Sequence, residues 1–182
     1  FIEVLVRSLY IAVMTTIFCI LLGYPTAYVI AKYFGKGQGK LILAITLPTW
    51  INMLVRTYAW RGILQKDGLI NAILGVVGIG PLQMLETNFA VILGMVYNFL
   101  PFMILQIYSS LSKMDESYIQ AAADLGANKV QTFLKVTLPL SIPGIISGIT
   151  LVFLPAVSSF FIPKLLGGGK FVLIGNVIEN QF

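Results

Sequence analysis

The sequence predicts an all-α fold, a polytopic transmembrane helical bundle, and two observations carry that prediction. Hydrophobic residues make up 58% of the 182 residues, charged residues make up only 10%, and the mean hydropathy is +0.91. A soluble domain is typically about 25% charged, and a water-soluble chain of this size could not bury so much apolar surface. In addition, the stretches 8–31, 87–112 and 136–163 contain no Asp, Glu, Lys or Arg. Each exceeds the roughly 20 residues that a spanning helix needs.

Four membrane spans are therefore predicted, at about 9–31, 41–64, 88–110 and 137–161. The second span requires the helix to continue past Arg56, because its uncharged part covers only 41–55. A helix that short would not cross the hydrocarbon layer, so the continuous span over 41–64 is an expectation that the structure can test.

Two connecting segments bear on the topology. The stretch 68–85 is uncharged, but its glycines, Pro81 and short apolar part favour a re-entrant or interfacial helix over 69–79 rather than a span. The loop 32–40 contains three lysines and no acid, which is typical of a cytoplasmic loop. Over the whole chain Lys and Arg are evenly divided between the two sides, so the charge rule alone leaves the orientation open.

The residue inventory excludes several classes of function. Histidine is absent and Cys19 is the single cysteine, which removes the commonest general base and the usual zinc ligands. No catalytic or metal-binding residue is predicted. A nucleic-acid partner is excluded as well, since phosphate contacts would need clustered Lys and Arg. The chain starts at Phe1 rather than Met and stops at Phe182 without a terminal pattern, so it is expected to be an internal piece of a longer protein.

The polar segment 113–136 carries the most specific local pattern. Ser117 and Gln120 have the spacing of a capping box at a helix N-terminus. Gly126 is expected to end that helix, because glycine enters the left-handed conformation at little cost. Asn128 is expected to cap a second helix, and its apolar face is predicted from 3.6-residue periodicity to contain Val130, Phe133, Leu134 and Thr137. Capping alone would equally suit an ordinary helical connection between two spans.

The same segment resembles the signature of the membrane subunits of ABC importers. That signature reads Glu-Ala-Ala, three residues, Gly, nine residues and Ile-x-Leu-Pro. The matching residues here are Gln120-Ala121-Ala122, Gly126 and Val136-x-Leu138-Pro139, with Gln for Glu and Val for Ile as the departures. The segments 22–32, 47–60, 100–111 and 175–182 resemble the spermidine/putrescine permeases of this family.

The resemblance implies a permease subunit that usually has six spans, of which this piece lacks the first and the last. It implies alternating access in a bacterial inner membrane, with segment 113–136 as a cytoplasmic coupling loop. The implied partners are a dimeric ABC ATPase, a second homologous permease subunit and an extracytoplasmic solute-binding protein. ATP would be bound by the separate ATPase, because no GxxxxGK[ST] loop occurs in this chain. The implied ATPase-coupling residues are Ser117, Gln120, Ala121, Ala122, Asp124 and Gly126.

Polar and aromatic residues within the predicted spans are candidates for the solute pathway, because polar groups are costly in lipid. These candidates are Trp50, Asn52, Tyr97, Asn98 and Phe160. Aromatic faces attract a polycation such as a polyamine through cation–π contacts. Helix packing and interfacial anchoring also explain the same residues, and both interpretations stay open. Gly144 and Gly148 have the small-residue spacing that predicts close helix packing.

Three alternatives differ in what they require of the sequence. An ABC permease for another small solute fits the same signature. An ion-coupled secondary transporter tends to place Asp, Glu, Lys or His in mid-membrane, and the predicted spans contain none of these residues. A membrane enzyme would need a convergent set of acid, base, nucleophile or metal ligands, and no such set is found in the sequence.

Overall fold

A computed structural model of the chain describes residues 2–76, 78, 80–168, 173 and 175. Within that part the structure is helical, with no strand. The helices are α1 (Ile2–Tyr33), α2 (Gln38–Thr46), α3 (Met53–Leu64), α4 (Leu69–Val76), α5 (Asn88–Ser112), α6 (Ser117–Asp124), α7 (Lys129–Thr132), α8 (Leu138–Ser158) and α9 (Phe161–Leu166). Most of the 175–182 resemblance lies outside the described residues.

The core is a three-helix junction of α1, α5 and α8. Met103 of α5 is fully buried and lies between two glycines, one on each neighbouring helix. A Cβ added at Gly23 of α1 would lie 3.0 Å from the Met103 Cγ, and one added at Gly148 of α8 would lie 2.5 Å from its Sδ. The helices therefore approach closely where side chains are smallest.

Gly144 confirms the predicted packing role of the small residues on α8. A Cβ at this position would lie 2.5 Å from the Ser110 Cβ and 2.8 Å from the Gln106 carbonyl oxygen. Both groups belong to α5, so Gly144 and Gly148 face α5 along one stripe. Close backbone approach is how helices associate in lipid, where apolar burial alone gives little driving force.

The continuous helix expected over 41–64 is broken instead. A 3₁₀ turn over Leu47–Trp50 follows α2, Ile51 is extended, and α3 begins after Asn52. The two halves, Gln38–Trp50 and Met53–Val76, meet at 88°. The physical reason is local: Pro48 has no amide hydrogen to continue the helix, and the Asn52 side chain caps α3 by accepting the Leu54 amide at 2.8 Å.

The segment after α3 folds as the short helix predicted for it, α4, whose described residues are Leu69–Val76. The Asn71 side chain holds this helix in place. Its Nδ2 donates to the Gln65 and Leu82 carbonyls at 3.2 and 3.0 Å, and its Oδ1 accepts the Leu82 amide at 2.9 Å. This arrangement fixes α4 near the N-terminal end of α5.

Three helical stretches of the described residues are long and apolar enough to cross a membrane: Ile2–Tyr33, Asn88–Ser112 and Lys129–Ser158. The bent pair Gln38–Trp50 and Met53–Val76 makes a fourth if it is one span. The chain thus has the helix lengths of a polytopic membrane bundle.

Candidate functional site

Residues 113–136, called here the docking loop, connect the C-terminal end of α5 to α8. Its first helix, α6, begins differently from the prediction. The predicted capping box of Ser117 and Gln120 is wrong, because Ser117 is already the first helical residue and the preceding Glu116 makes no side-chain cap. Instead, the Asp115 carboxylate accepts the Ser117 amide hydrogen at 2.9 Å. A carboxylate is favoured near this positive helix end.

The hydrogen bond from the Ser117 amide also lowers the pKa of the Asp115 carboxylate below its ordinary value. A lowered pKa means that the cap is present at neutral pH, where the carboxylate is ionised, and is lost only as the pH falls through the value in the folded state.

The C-terminal end of α6 is confirmed at Gly126, which has φ +80°. The Ala127 amide donates to the Ala122 carbonyl at 3.0 Å, and the Gly126 amide donates to the Ala123 carbonyl at 2.9 Å. This pair of bonds is the Schellman arrangement, in which a left-handed residue turns the chain sharply out of the helix. A Cβ at Gly126 would have nothing within 4 Å, so the backbone conformation is what requires glycine.

Asn128 caps α7 as predicted and completes a full capping box. Its Oδ1 accepts the Gln131 amide at 2.9 Å, and the Gln131 Oε1 accepts the Asn128 amide at 3.0 Å. Together with the turn at Gly126, these bonds fix the angle between α6 and α7 by local interactions alone.

The predicted single apolar face of the second helix is wrong. A π-helical turn over Phe133–Thr137 follows α7 and rotates the register. Phe133 and Thr137 point inwards, whereas Val130 and Leu134 are 65% and 54% exposed. The loop therefore has an inner side, which packs on the membrane helices, and an outer apolar side.

The outer side of the loop carries exposed apolar side chains and an open cavity. Leu125 is 89% exposed at the tip, beside an open cavity of about 510 Å³ whose lining includes Ala122, Gly126 and Lys135. Of the predicted coupling residues, Ala122 is buried, and the others are exposed: Ser117, Gln120, Ala121, Asp124 and Gly126. Leu125, Val130 and Leu134 are thus three large, exposed apolar side chains within the polar segment 113–136.

The loop 34–37 and α2 lie at the same end of the molecule as the docking loop. The Gln38 side chain links two helices there, because its Nε2 donates to the Ala31 carbonyl at 2.9 Å and its Oε1 accepts from the Tyr108 hydroxyl at 3.0 Å. The lysine-containing loop and the docking loop therefore share one end, in agreement with the topology that the sequence favours.

The pathway candidates of the second span lie at the break between α2 and α3. Trp50 ends the 3₁₀ turn and is 75% exposed, whereas Asn52 is occupied in capping α3. Tyr97 of α5 packs edge-on against Trp60, with ring centroids 5.4 Å apart. Trp60, rather than Trp50, is thus the tryptophan that meets Tyr97.

The other two candidates lie deeper. Asn98 is buried and its Nδ2 donates to the Gly94 carbonyl at 2.8 Å, while its Oδ1 is buried without a hydrogen-bond partner. Phe160 lies at the break between α8 and α9 and stacks on Phe161 at 4.2 Å. The unpaired Asn98 Oδ1 is therefore a buried polar point within the apolar helix α5.

Comparison with known proteins identifies the family. Residues 68–181 match the family described as binding-protein-dependent transport system inner membrane component, which is more than half of the chain. The chain belongs to this family. It is accordingly a multi-pass bacterial inner-membrane protein, and its docking loop lies within the matched region.

Relatives and a solved structure agree with that assignment. The chain is 44% identical over 182 residues to the spermidine/putrescine transport system permease protein PotB of Haemophilus influenzae, covering 99% of this chain and 64% of that protein. It is also 44% identical to PotB of Escherichia coli strain K12, covering 66% of that protein. The chain therefore spans just under two thirds of the length of these relatives.

A crystal structure of a bacterial ABC transporter involved in the import of the acidic polysaccharide alginate contains a chain of the same fold. The TM-score is 0.70 at 18% sequence identity, with 96% of this permease chain and 66% of that chain covered. This chain, with its bent second span and its docking loop, therefore shares its overall fold with a chain of that transporter.

Sequence reasoning did not predict the aromatic contacts that join distant parts of this chain. Phe133 packs on Tyr24 and Tyr28 of α1, and Trp60 packs on Tyr97. The available signal was weak: Tyr24, Tyr28 and Phe133 lie at the ends of apolar stretches, where aromatic residues are common for other reasons.

Proposed function

We propose that the chain belongs to the permease subunit of an ATP-driven ABC importer that carries a polyamine, spermidine or putrescine, across the inner membrane by alternating access. The observation that carries the proposal is the docking loop. Its two capped helices are joined by a glycine turn, and its outer side is apolar and exposed. Such a surface suits the cleft of a partner protein outside the bilayer.

Within this proposal, Ser117, Gln120, Ala121, Ala122, Asp124 and Gly126 form the ATPase-coupling surface. Small side chains at Ala121 and Gly126 allow close approach, and the Gly126 turn fixes the direction in which Leu125 projects. The ATPase acts as a dimer of separate subunits and binds the ATP, so that this chain needs no cofactor and catalyses no reaction itself.

The bent second span supports a second permease subunit as a further partner. Large apolar side chains along α2 and α3 are more than half exposed: Leu43, Trp50, Ile51, Val55 and Tyr58. A second homologous permease would cover part of this face and would leave the break at Ile51 and Asn52 beside the solute pathway. An extracytoplasmic solute-binding protein would deliver the solute from the other side.

The polyamine assignment follows the names of the relatives, which are 44% identical over nearly the whole chain. Within the pathway, Trp50, Tyr97 and Phe160 offer aromatic faces to a polycation, and Asn52 and Asn98 are the polar candidates. A permease for another small solute is the second candidate. An ion-coupled secondary transporter is less favoured, because the apolar helices α5 and α8 contain no Asp, Glu, Lys, Arg or His.

The test is transport by the complete system. The full-length permease is reconstituted in proteoliposomes with the ATPase and the second permease subunit, and the binding protein is added outside. We expect uptake of radiolabelled spermidine to require enclosed ATP and to stop when the binding protein is omitted. Uptake driven by a proton or sodium gradient without ATP would contradict the importer mechanism, and ATP-driven uptake of other solutes but not polyamines would contradict the substrate.

In this assay we expect Trp50→Ala to raise the KM for polyamine uptake while the complex still assembles. The loss of one cation–π contact, worth about 0.5–2 kcal/mol, corresponds to roughly a 2- to 30-fold change. Trp50→Phe keeps an aromatic face and is expected to have a smaller effect. An unchanged KM for Trp50→Ala, with normal assembly, would assign Trp50 to helix packing.

A further inference from the structure

Phe133 is a half-buried residue of the docking loop and contacts two tyrosines of α1. Its ring lies edge-on to Tyr24 with centroids 5.8 Å apart and an interplanar angle of 82°. Its ring also lies edge-on to Tyr28 at 5.3 Å and 85°. Edge-to-face geometry is directional, so the position of this ring is set by both tyrosines together.

The same cluster is tied to α8 by a polar contact. The Tyr24 hydroxyl lies 3.0 Å from the Ser141 Oγ, and the Ser141 hydroxyl donates to the Leu138 carbonyl at 2.8 Å. Since the Ser141 hydrogen is used in that bond, Tyr24 is the donor to Ser141. Phe133 itself begins the π-helical turn that leads directly into α8. One aromatic cluster therefore joins the docking loop, α1 and α8.

The neighbouring residue extends this connection to the core of the bundle. Gly23 precedes Tyr24 and packs against Met103 of α5, and Met103 also packs against Gly148 of α8. A closely packed interior of this kind has low compressibility and transmits strain from one helix to the next. A displacement of the Phe133 ring must therefore move α1 or break the contact.

We propose that Phe133 is a positioning residue that transmits movement of the docking loop to α1 and α8 through Tyr24 and Tyr28. This inference rests on the proposed importer function. Within that function, it assigns the transmission of movement to the contact of Phe133 with Tyr24 and Tyr28. Phe133 faces the membrane helices, opposite the outer side of the loop, so it serves transmission rather than ATPase docking. A π-helical turn at this point fits the role, because such turns often occur at functional sites.

The experiment measures polyamine taken up per ATP hydrolysed in the reconstituted importer, together with the amount of ATPase that co-purifies. Phe133→Leu removes the ring but keeps an apolar side chain of similar length. We expect normal ATPase association and continued ATP hydrolysis, with the uptake-to-hydrolysis ratio reduced at least fivefold. Phe133→Tyr, which keeps the ring, is expected to restore most of the ratio.

Two further variants separate transmission from a general loss of structure. Phe102→Leu makes the same chemical change at an exposed position of α5 and is expected to leave the ratio unchanged. Tyr28→Leu is expected to lower the ratio, and the double variant with Phe133→Leu should be no worse than the more severe single variant, because both remove one contact.

The outcomes distinguish the two proposals. A wild-type ratio for Phe133→Leu would overturn the assignment of Phe133 while leaving the importer function intact. Loss of ATPase association in Phe133→Leu would also overturn it, since the residue would then belong to docking. A wild-type complex without ATP-driven uptake would overturn the importer function itself, and the assignment of Phe133 with it.

Discussion

Replacing Gly126 with valine is expected to uncouple the permease from its ATPase while leaving the protein inserted in the membrane. Gly126 has φ +80°, a conformation that costs an L-residue about 1–2 kcal/mol and suits β-branched residues least. No atom lies within 4 Å of a Cβ built there, so valine would not disrupt packing within the chain. The strain would instead change the angle between α6 and α7, and with it the docking surface.

We expect Gly126→Val to weaken ATPase association at least tenfold and to abolish most solute-stimulated ATP hydrolysis in the reconstituted complex. Gly126→Asn should retain much of both, because Asn tolerates the left-handed conformation. Gly35→Val is a matched control, since Gly35 also has positive φ and open space but lies outside the docking loop. Full coupling in Gly126→Val would mean that the loop is merely a connection between two helices.

A second large effect is expected when Gly144 is replaced by leucine. The larger side chain should prevent α8 from packing on α5, and the helical bundle from assembling. The added Cβ would collide with the Gln106 carbonyl, which belongs to the α5 backbone and cannot turn aside as a side chain can. Overpacking of a core typically costs 1–3 kcal/mol, and separating α8 from α5 would expose further contacts. The expected result is loss of folded permease in detergent, measured by thermal unfolding and yield.

A graded series checks this explanation. Gly148→Ala should be milder, because the atom that its Cβ meets is the Sδ at the flexible end of the Met103 side chain. Gly62→Ala on α3 has open space and should be neutral or slightly stabilising, since alanine favours a helix by about 1 kcal/mol. Equal stability of the Gly144→Leu and Gly62→Ala proteins would show that α5 and α8 do not pack as described.

Local chemistry was the part of this protein that sequence could predict. Asn128 and Gly126 act within a few residues of themselves, through a capping bond and a backbone dihedral, so their identities nearly determine their roles. The start of α6 shows the limit of this reasoning. Ser117 fits a capping pattern, but the Gln120 amide that it would accept donates to the Glu116 carbonyl at 3.1 Å, so Ser117 lies inside the helix, and its own amide donates to the Asp115 carboxylate.

Hydropathy predicted helix lengths but not their continuity. The hydropathy of 41–64 is a sum over its residues and takes no account of Pro48, which has no amide hydrogen to continue the α-helix. The second span bends directly after the 3₁₀ turn that contains Pro48. Contacts between distant residues were beyond the same reasoning. Nothing in the neighbourhood of Phe133 indicates that Tyr28 lies beside it, because that contact depends on how α1 packs against the loop.

The central claim is that an ATPase docks on the outer side of residues 113–136, and a photo-crosslinker at position 125 tests it most directly. Leu125 is 89% exposed at the tip of the loop. Val76, at the end of α4, is 88% exposed and lies near the opposite end of α5, so it is a control of equal exposure. The full-length permease carrying the crosslinker at either position is illuminated in cells that contain the complete importer.

We expect a covalent adduct with the ATPase subunit from position 125 and none from position 76. The adduct should decrease at least tenfold when Gly126→Val is present in the same chain. Absence of an ATPase adduct from position 125, or equal adducts from both positions, would contradict the assignment of the docking loop.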